Sequence, residues 1–173
     1  MLITVYMAMS IDGQIARNND ETPWSNESWE SFNTHVNNSD LLVIGRKTYD
    51  IMVDEGSIED IKIPICVLTS SDIENINANT SSSVDGVVKY AEENNLSNII
   101  IAGGGKTNAA FLKASIVDRM IVDIEPVVLG KSKPFFDLHY DDQTADSLPK
   151  FTLEEFKQIE NSNTMQLLYV AEK

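Results

Sequence analysis

Between Asn98 and Leu112 the chain reads Asn-Ile-Ile-Ile-Ala-Gly-Gly-Gly-Lys-Thr-Asn-Ala-Ala-Phe-Leu. The β-branched run Ile99-Ile100-Ile101 predicts a strand buried on both faces. Gly103, Gly104 and Gly105 break that strand. Lys106 to Lys113 then reads as a helix, helped by Ala109, Ala110 and Leu112. A strand that stops at glycines and turns into a helix makes an anion site. The glycines let backbone approach a ligand closely, and the first helical N–H groups, unpaired within the helix, point at it. The stretch therefore reads as the floor of a site for a phosphate-bearing cofactor. Two other readings stand beside this one. Three glycines also make a plain tight turn. Gly105-Lys106-Thr107 also resembles the end of a P-loop, with Met120 to Asp123 as the metal-binding strand. The full P-loop pattern needs a glycine where Ile100 stands, so the loop is too short to wrap a triphosphate.

The chain has 173 residues, long enough for one domain over 1–173 with a real core. Hydrophobic content of 42% and charged content of 23% are ordinary for a globular chain. The net charge of −14 argues against a nucleic-acid partner or an acidic membrane surface. An anionic cofactor must then be drawn by a local basic patch. The single cysteine, Cys66, excludes an internal disulfide. His35 and His139 lie far apart with no ligand spacing, so no metal is expected. There is neither a signal peptide nor a long apolar run, and a cytoplasmic location is expected.

Along the chain, Leu2 to Met9 reads as a buried strand and Asp12-Gly13 as a turn. Residues 17–24 form a polar loop. Ser25 or Asn26 can cap a helix beginning near Glu27, with Glu27 and Glu30 suited to its positive first turn. Trp29, Phe32 and Val36 share one face of that helix, and Asn33 lies beside it. Leu41 to Ile44 is a second strand. It ends in Gly45-Arg46-Lys47-Thr48, before a helix from Tyr49 to Val53. In so acidic a chain, two adjacent cations after a strand-ending glycine point to phosphate. Ile63 to Leu68 is a third strand, followed by the hydroxyl run Thr69-Ser70-Ser71 and Asp72. Residues 75–83 read as polar loop and Val84 to Asn94 as a helix. Val117 to Pro126 is a further strand. After a polar stretch at 141–149, Phe151–Ile159 and Met165–Ala171 alternate apolar with polar, as an antiparallel hairpin does. The expected fold is α/β: a central, mostly parallel sheet flanked by helices, with the antiparallel hairpin at the C-terminus. Three loops after strands carry glycine, cations or hydroxyls. Ligands of such sheets sit beyond the carboxyl ends of the strands.

These residues together resemble the dihydrofolate reductase-like superfamily, which includes dihydrofolate reductase and the reductase domain of riboflavin biosynthesis. The resemblance spans nearly the whole chain. Its carriers are Met7 to Ala16, Pro23-Trp24, Val43 to Tyr49, Leu68 to Ser71, Ile101 to Gly105 and the Pro126, Gly130, Phe136 closure. It implies NADPH as hydride donor. It places Gly45, Arg46, Lys47 and Thr48 at the pyrophosphate and the 2′-phosphate, with Leu68, Thr69, Ser70 and Ser71 nearby. Gly103, Gly104, Gly105, Lys106 and Thr107 would hold the pyrophosphate, often with a cis Gly103–Gly104 peptide. Ala8, Ile15 and Ala16 would flank the nicotinamide, and 17–24 would be the lid.

The resemblance also implies a small-molecule substrate, a pterin or a pyrimidine, near Met7, Trp29, Asn33 and Tyr49, with Trp24 among the candidate catalytic residues. Dihydrofolate reductases carry a helix carboxylate beneath the pterin. Counting from Pro23-Trp24, that position is Trp29, which leaves Glu27 and Glu30 as the candidate acids. The riboflavin-type Gly-hydrophobic-Gly-Thr-Val and Asp-Pro-Arg-Leu runs are absent. Reduction of 7,8-dihydrofolate is thus the expected activity. Reduction of a phosphoribosylamino-pyrimidine is the alternative, and NADP(H) binding without turnover is a third reading. A homodimer is kept open.

Overall fold

The computed structural model describes residues 1–71, 73, 78–138 and 148–172. Asp72, His139, and parts of the stretches 75–83 and 141–149 lie outside the described residues. The strands are β1 (Leu2–Ser10), β2 (Gln14–Ala16), β3 (Leu41–Gly45), β4 (Ile65–Leu68), β5 (Asn79–Ser81), β6 (Asn98–Ile101), β7 (Arg119–Glu125), β8 (Lys133–Pro134), β9 (Phe151–Gln158) and β10 (Met165–Ala171). The helices are α1 (Asn26–Asn37), α2 (Arg46–Asp54), α3 (Val84–Glu93) and α4 (Gly105–Lys113). Eight strands form one sheet in the order β5-β4-β3-β6-β1-β7-β10-β9. Pairing is parallel from β5 to β7 and antiparallel at β7–β10–β9. The expected mostly parallel sheet with its C-terminal hairpin is the observed one.

The isoleucine run on β6 serves both faces of this sheet. Ile99 and Ile101 pack with Val5, Val43, Val87, Ala91 and Phe111 under α3 and α4. Ile100 points the other way, to Tyr6, Leu42, Ile44, Val36 and Met52 under α1 and α2. Alternation of side chains along a strand forces this division. Each such aliphatic side chain contributes roughly 1.5–3 kcal/mol by leaving water.

Two differences from expectation have simple causes. Residues 79–81 are not loop but the edge strand β5, which pairs parallel with β4. Its side chains are polar because an edge faces water, while its backbone still satisfies the β4 ladder. The second helix begins at Arg46 rather than Tyr49, so Arg46, Lys47 and Thr48 are its first turn. Among the described residues, no helix is long and apolar enough to cross a membrane.

Asp40 ties two loops together at the amino end of β3 and β6. Its Oδ2 accepts from the Ser97 and Asn98 amides at 2.9 and 2.8 Å, and from Ser97 Oγ at 3.1 Å. The Ser97 amide first, then that of Asn98, hold the carboxyl below its ordinary range. A depressed carboxyl stabilises the fold above the unfolded value, near pH 4, and loses that effect as pH falls through the depressed value. Asp40→Ala is expected to cost about 1–2 kcal/mol in urea unfolding at pH 7, with the difference from wild type shrinking below pH 4.

Candidate functional site

Parallel pairing brings the carboxyl ends of β1, β3, β4 and β6 to one edge of the sheet. A cavity of about 660 Å³ opens there. Its lining includes Met7, Ala8, Ile15, Ala16, Gly45 to Thr48, Leu68 and Gly103 to Thr107. The ends of β3 and β6 touch through backbone. The Gly45 amide donates to the Gly103 carbonyl at 2.9 Å, and the Ala102 amide to the Val43 carbonyl at 2.9 Å. A Cβ on Gly45 would lie 2.5 Å from Thr107 Oγ1, and one on Gly103 would lie 2.8 Å from Met7 Cε. Gly103 also sits at φ +102°, a conformation open to glycine. The Gly103–Gly104 peptide is cis. Gly45 is thus required by close approach and Gly103 by its backbone conformation.

The helix starts divide into two kinds. Ser25 caps α1 and Ser83 caps α3, each accepting from a backbone amide. Gly45 precedes α2 and Gly104 precedes α4, and neither start has a side-chain cap. Neither uncapped first turn carries an acid. Arg46, Lys47 and Lys106 stand there instead. A cation at a helix start is unfavourable by about 0.3–1 kcal/mol unless an anion joins it. Both uncapped ends line the cavity; an arriving anion would meet N–H groups, positive dipole ends and cations together.

An internal anion already occupies part of this field. Asp20, in the 17–24 loop at φ +72°, pairs with Lys47 at 2.7 Å and also with Lys133. Arg46 Nε is held by both Asp50 carboxylate oxygens at 2.8 Å. The strap β2–β8 holds Ile15 and Ala16 at the mouth, where both are 8% exposed. Asp12 braces the strap by accepting from the Leu129 and Gly130 amides at 3.1 and 2.7 Å.

The other part of the cavity lies under α1. Trp24, Ser28, Trp29 and Phe32 line it, with Tyr6, Ile51 and Met52. Beneath it are two buried carboxylates on β7. Asp123, fully buried, accepts from the Tyr6 hydroxyl and from Gln166 Nε2 at 2.8 Å. Burial pushes its carboxyl up, against the pull of those donors. It is therefore tied into the core and is not the metal-binding strand residue of a P-loop enzyme. Glu125, 4% exposed, accepts from the Ser25 amide at 3.0 Å, Ser25 Oγ at 2.7 Å and Ser28 Oγ through one oxygen, Oε1. Burial pushes the Glu125 carboxyl up, but the Ser28 and Ser25 donors together outweigh it and hold the group below its ordinary range.

Several sequence candidates lie elsewhere. Glu27 and Glu30 do not line the cavity, and Glu30 is exposed. Their places on α1 turn them away from the face that carries Trp29 and Phe32. Asn33 is half-buried off the cavity, and Tyr49 packs in the core with Ile44 and Met52. Thr69, Ser70 and Ser71 lie beyond the lining, with Ser70 and Ser71 exposed. Sequence reasoning missed Tyr6, Ser28, Asp20, Lys133 and Glu125. Ser28 had a signal, since it adjoins Trp29 on a capped helix. Asp20 and Lys133 had none, because they meet across more than a hundred residues.

Comparison with known proteins agrees with this architecture. A family model described as RibD C-terminal domain matches residues 1–165. The chain is 26% identical over 140 residues to the uncharacterized protein YwjB of Bacillus subtilis (strain 168), covering 76% of this chain and 80% of that protein. Its fold is similar to that of a putative riboflavin biosynthesis protein from Shewanella sp. PV-4, with TM-score 0.80, 22% identity and all of both chains covered. It is also similar to dihydrofolate reductase from Enterococcus faecalis complexed with NADP(H), with TM-score 0.73, 17% identity and coverage of 99% and 97%. The fold is thus of the dihydrofolate reductase-like kind.

The glycine contact can be tested by itself. Gly45→Ala is expected to cost about 1–3 kcal/mol through crowding of Thr107. Combined with Thr107→Ala, which removes the crowded hydroxyl, it should cost less than the sum of the single changes in urea unfolding. Strict additivity would contradict the contact.

Proposed function

The chain belongs to the RibD C-terminal domain family, and from that premise and its cavity we propose an NADPH-dependent reductase of a flat nitrogen heterocycle of the pterin–pyrimidine class. The observation that carries this reading is the pair of uncapped, cation-bearing helix starts lining one cavity, in contrast to the serine-capped starts of α1 and α3. A phosphate-bearing dinucleotide fits that pattern. Its pyrophosphate suits the Gly103–Thr107 turn, where an added Cβ on Gly105 would meet the Pro134 carbonyl at 2.5 Å. Its 2′-phosphate suits Arg46 and Lys47. Ala8, Ile15 and Ala16 leave room for a flat ring beside β1.

When bound, such a cofactor supplies a hydride to a C=N or C=O carbon of the substrate. The chain's own residues then bind, orient and exclude water. Trp24, Trp29 and Phe32 offer an apolar wall for a flat ring. The loop carrying Asp20 closes the mouth through Lys47 and Lys133. Of the two substrates, we take the pyrimidine as first. No carboxylate of α1 lines the cavity, so a dihydrofolate reductase's helix acid has no counterpart there. The family match favours the same choice. Dihydrofolate is the second reading, supported by the shared fold.

Loss of the reduced nicotinamide's near-ultraviolet absorbance is expected with the phosphoribosylamino-pyrimidine, and more slowly or not at all with dihydrofolate. NADPH binding without oxidation on either substrate would contradict the reductase reading. Replacing Arg46 and Lys47 together by Ala should raise the NADPH KM about tenfold or more and the NADH KM far less. Equal effects would refute their contact with the 2′-phosphate.

Asp20 competes with that phosphate for Lys47. Asp20→Asn keeps a residue that tolerates positive φ and removes the charge. It should lower the NADPH dissociation constant about threefold to tenfold in titration calorimetry. Weaker binding would mean instead that Asp20 acts by holding the lid shut.

A further inference from the structure

Ser28 lies on α1, 2% exposed, where the helix meets the cavity. Its hydroxyl donates to Glu125 Oε1, and among the described residues no group donates to Ser28 Oγ. A serine hydroxyl has one proton and two lone pairs. With the proton committed to a buried carboxylate, Ser28 can offer the cavity only lone pairs. The carboxylate enforces this direction: Glu125 Oε1 already gathers two donors from Ser25 and has no proton to give back. The surroundings are apolar, with Tyr6, Trp24, Trp29 and Phe32 lining the same part of the cavity. An acceptor fixed in such a wall discriminates between ligands. A ligand that brings an N–H satisfies it, and one that covers it with carbon leaves it unpaired.

We infer that the Ser28–Glu125 pair is the specificity-determining acceptor of this cavity, receiving a ring N–H or exocyclic amino group of a flat nitrogen heterocycle stacked among Trp24, Trp29 and Phe32. This inference rests on the heterocycle reading of the cavity given above. Ser28 is the group that touches the ligand. Glu125 acts through Ser28 as a positioning residue, by fixing which way the hydroxyl proton points. A purely structural role accounts for Ser25, whose amide and hydroxyl anchor the start of α1 on β7. Ser28, one turn on, shares that anchor but also lines the cavity, which Ser25 does not.

The test is a binding comparison on the whole protein without cofactor. The probes are 2,4-diaminoquinazoline and unsubstituted quinazoline, at a pH where both are uncharged, so that the chain's acidity favours neither. Wild type is expected to bind the diamino probe at least tenfold more tightly in titration calorimetry. Ser28→Ala should reduce that preference to threefold or less, by weakening the diamino probe alone. Ser28→Thr, which keeps the hydroxyl, should restore it. If Ser28→Ala does not fold by circular dichroism, Ser28→Cys carries the same expectation, since a thiol is a weak acceptor of similar size. A wild type without preference, or a Ser28→Ala or Ser28→Cys protein that keeps it, overturns the inference. Because no turnover is read, a protein that prefers the diamino probe but never oxidises NADPH keeps this inference and loses the reductase reading.

Discussion

The site depends on the backbone contact between the ends of β3 and β6. Gly45 and Gly103 meet by one N–H to C=O bond, with no space for a side chain between Gly45 and Thr107 or between Gly103 and Met7. That contact sets the separation of the two strand ends. The separation in turn sets where α2 and α4 begin, and both begin at the same cavity. A β-carbon on Gly45 would crowd the Thr107 hydroxyl in the first turn of α4, while at Gly103 the φ of +102° is the stronger constraint, since the end of Met7 can move. The sheet supplies the rest by parallel pairing, which sends four strand ends to one edge.

Electrostatics reverse locally what the whole chain would dictate. A net charge of −14 repels an anion at long range, yet Arg46, Lys47, Lys106 and Lys133 line one cavity with two helix starts, offset there by Asp20, Glu55 and Asp137. Salt screens the distant repulsion over ~10 Å at 0.1 M, while the close contacts persist. Asp20 pairs with Lys47 and Lys133 there. The same carboxylate ties the 17–24 loop to the mouth, so the proposed anion site and the loop position share one pair of lysines. On the far side of β1, Asp123 and Glu125 have different tasks although they lie two residues apart. Asp123 is held by the Tyr6 hydroxyl and Gln166. Glu125 reaches the cavity through Ser28.

Local signals in the sequence carried most of the fold. The isoleucine run on β6, the apolar β1 and the alternating β9–β10 hairpin announce their structure through periodicities that neighbouring residues share. β5 was illegible because Asn79-Thr80-Ser81 is polar; only pairing with β4 makes it a strand. The glycine-bearing turns at 45 and 103–105 were legible for the same local reason. The acid pattern was not. Glu27 and Glu30 stood out by type on a helix that lines the site, but side-chain direction is set by how α1 rolls onto β1, and that roll buries Val36 and Ser28 instead. Glu125 sits a hundred residues from Ser28, and nothing in the sequence links the two before the fold brings them together.

The central claim is that the ends of β3 and β6, with the helix starts they feed, form a single receptor for one phosphate-bearing dinucleotide. Backbone amide spectra recorded during an NADPH titration test it most directly. The amides of residues 45–48 and 103–107 should shift together and yield one shared dissociation constant, while those of the distant strand β9 stay still. Shifts at only one of the two segments, or two separate dissociation constants, would contradict the account.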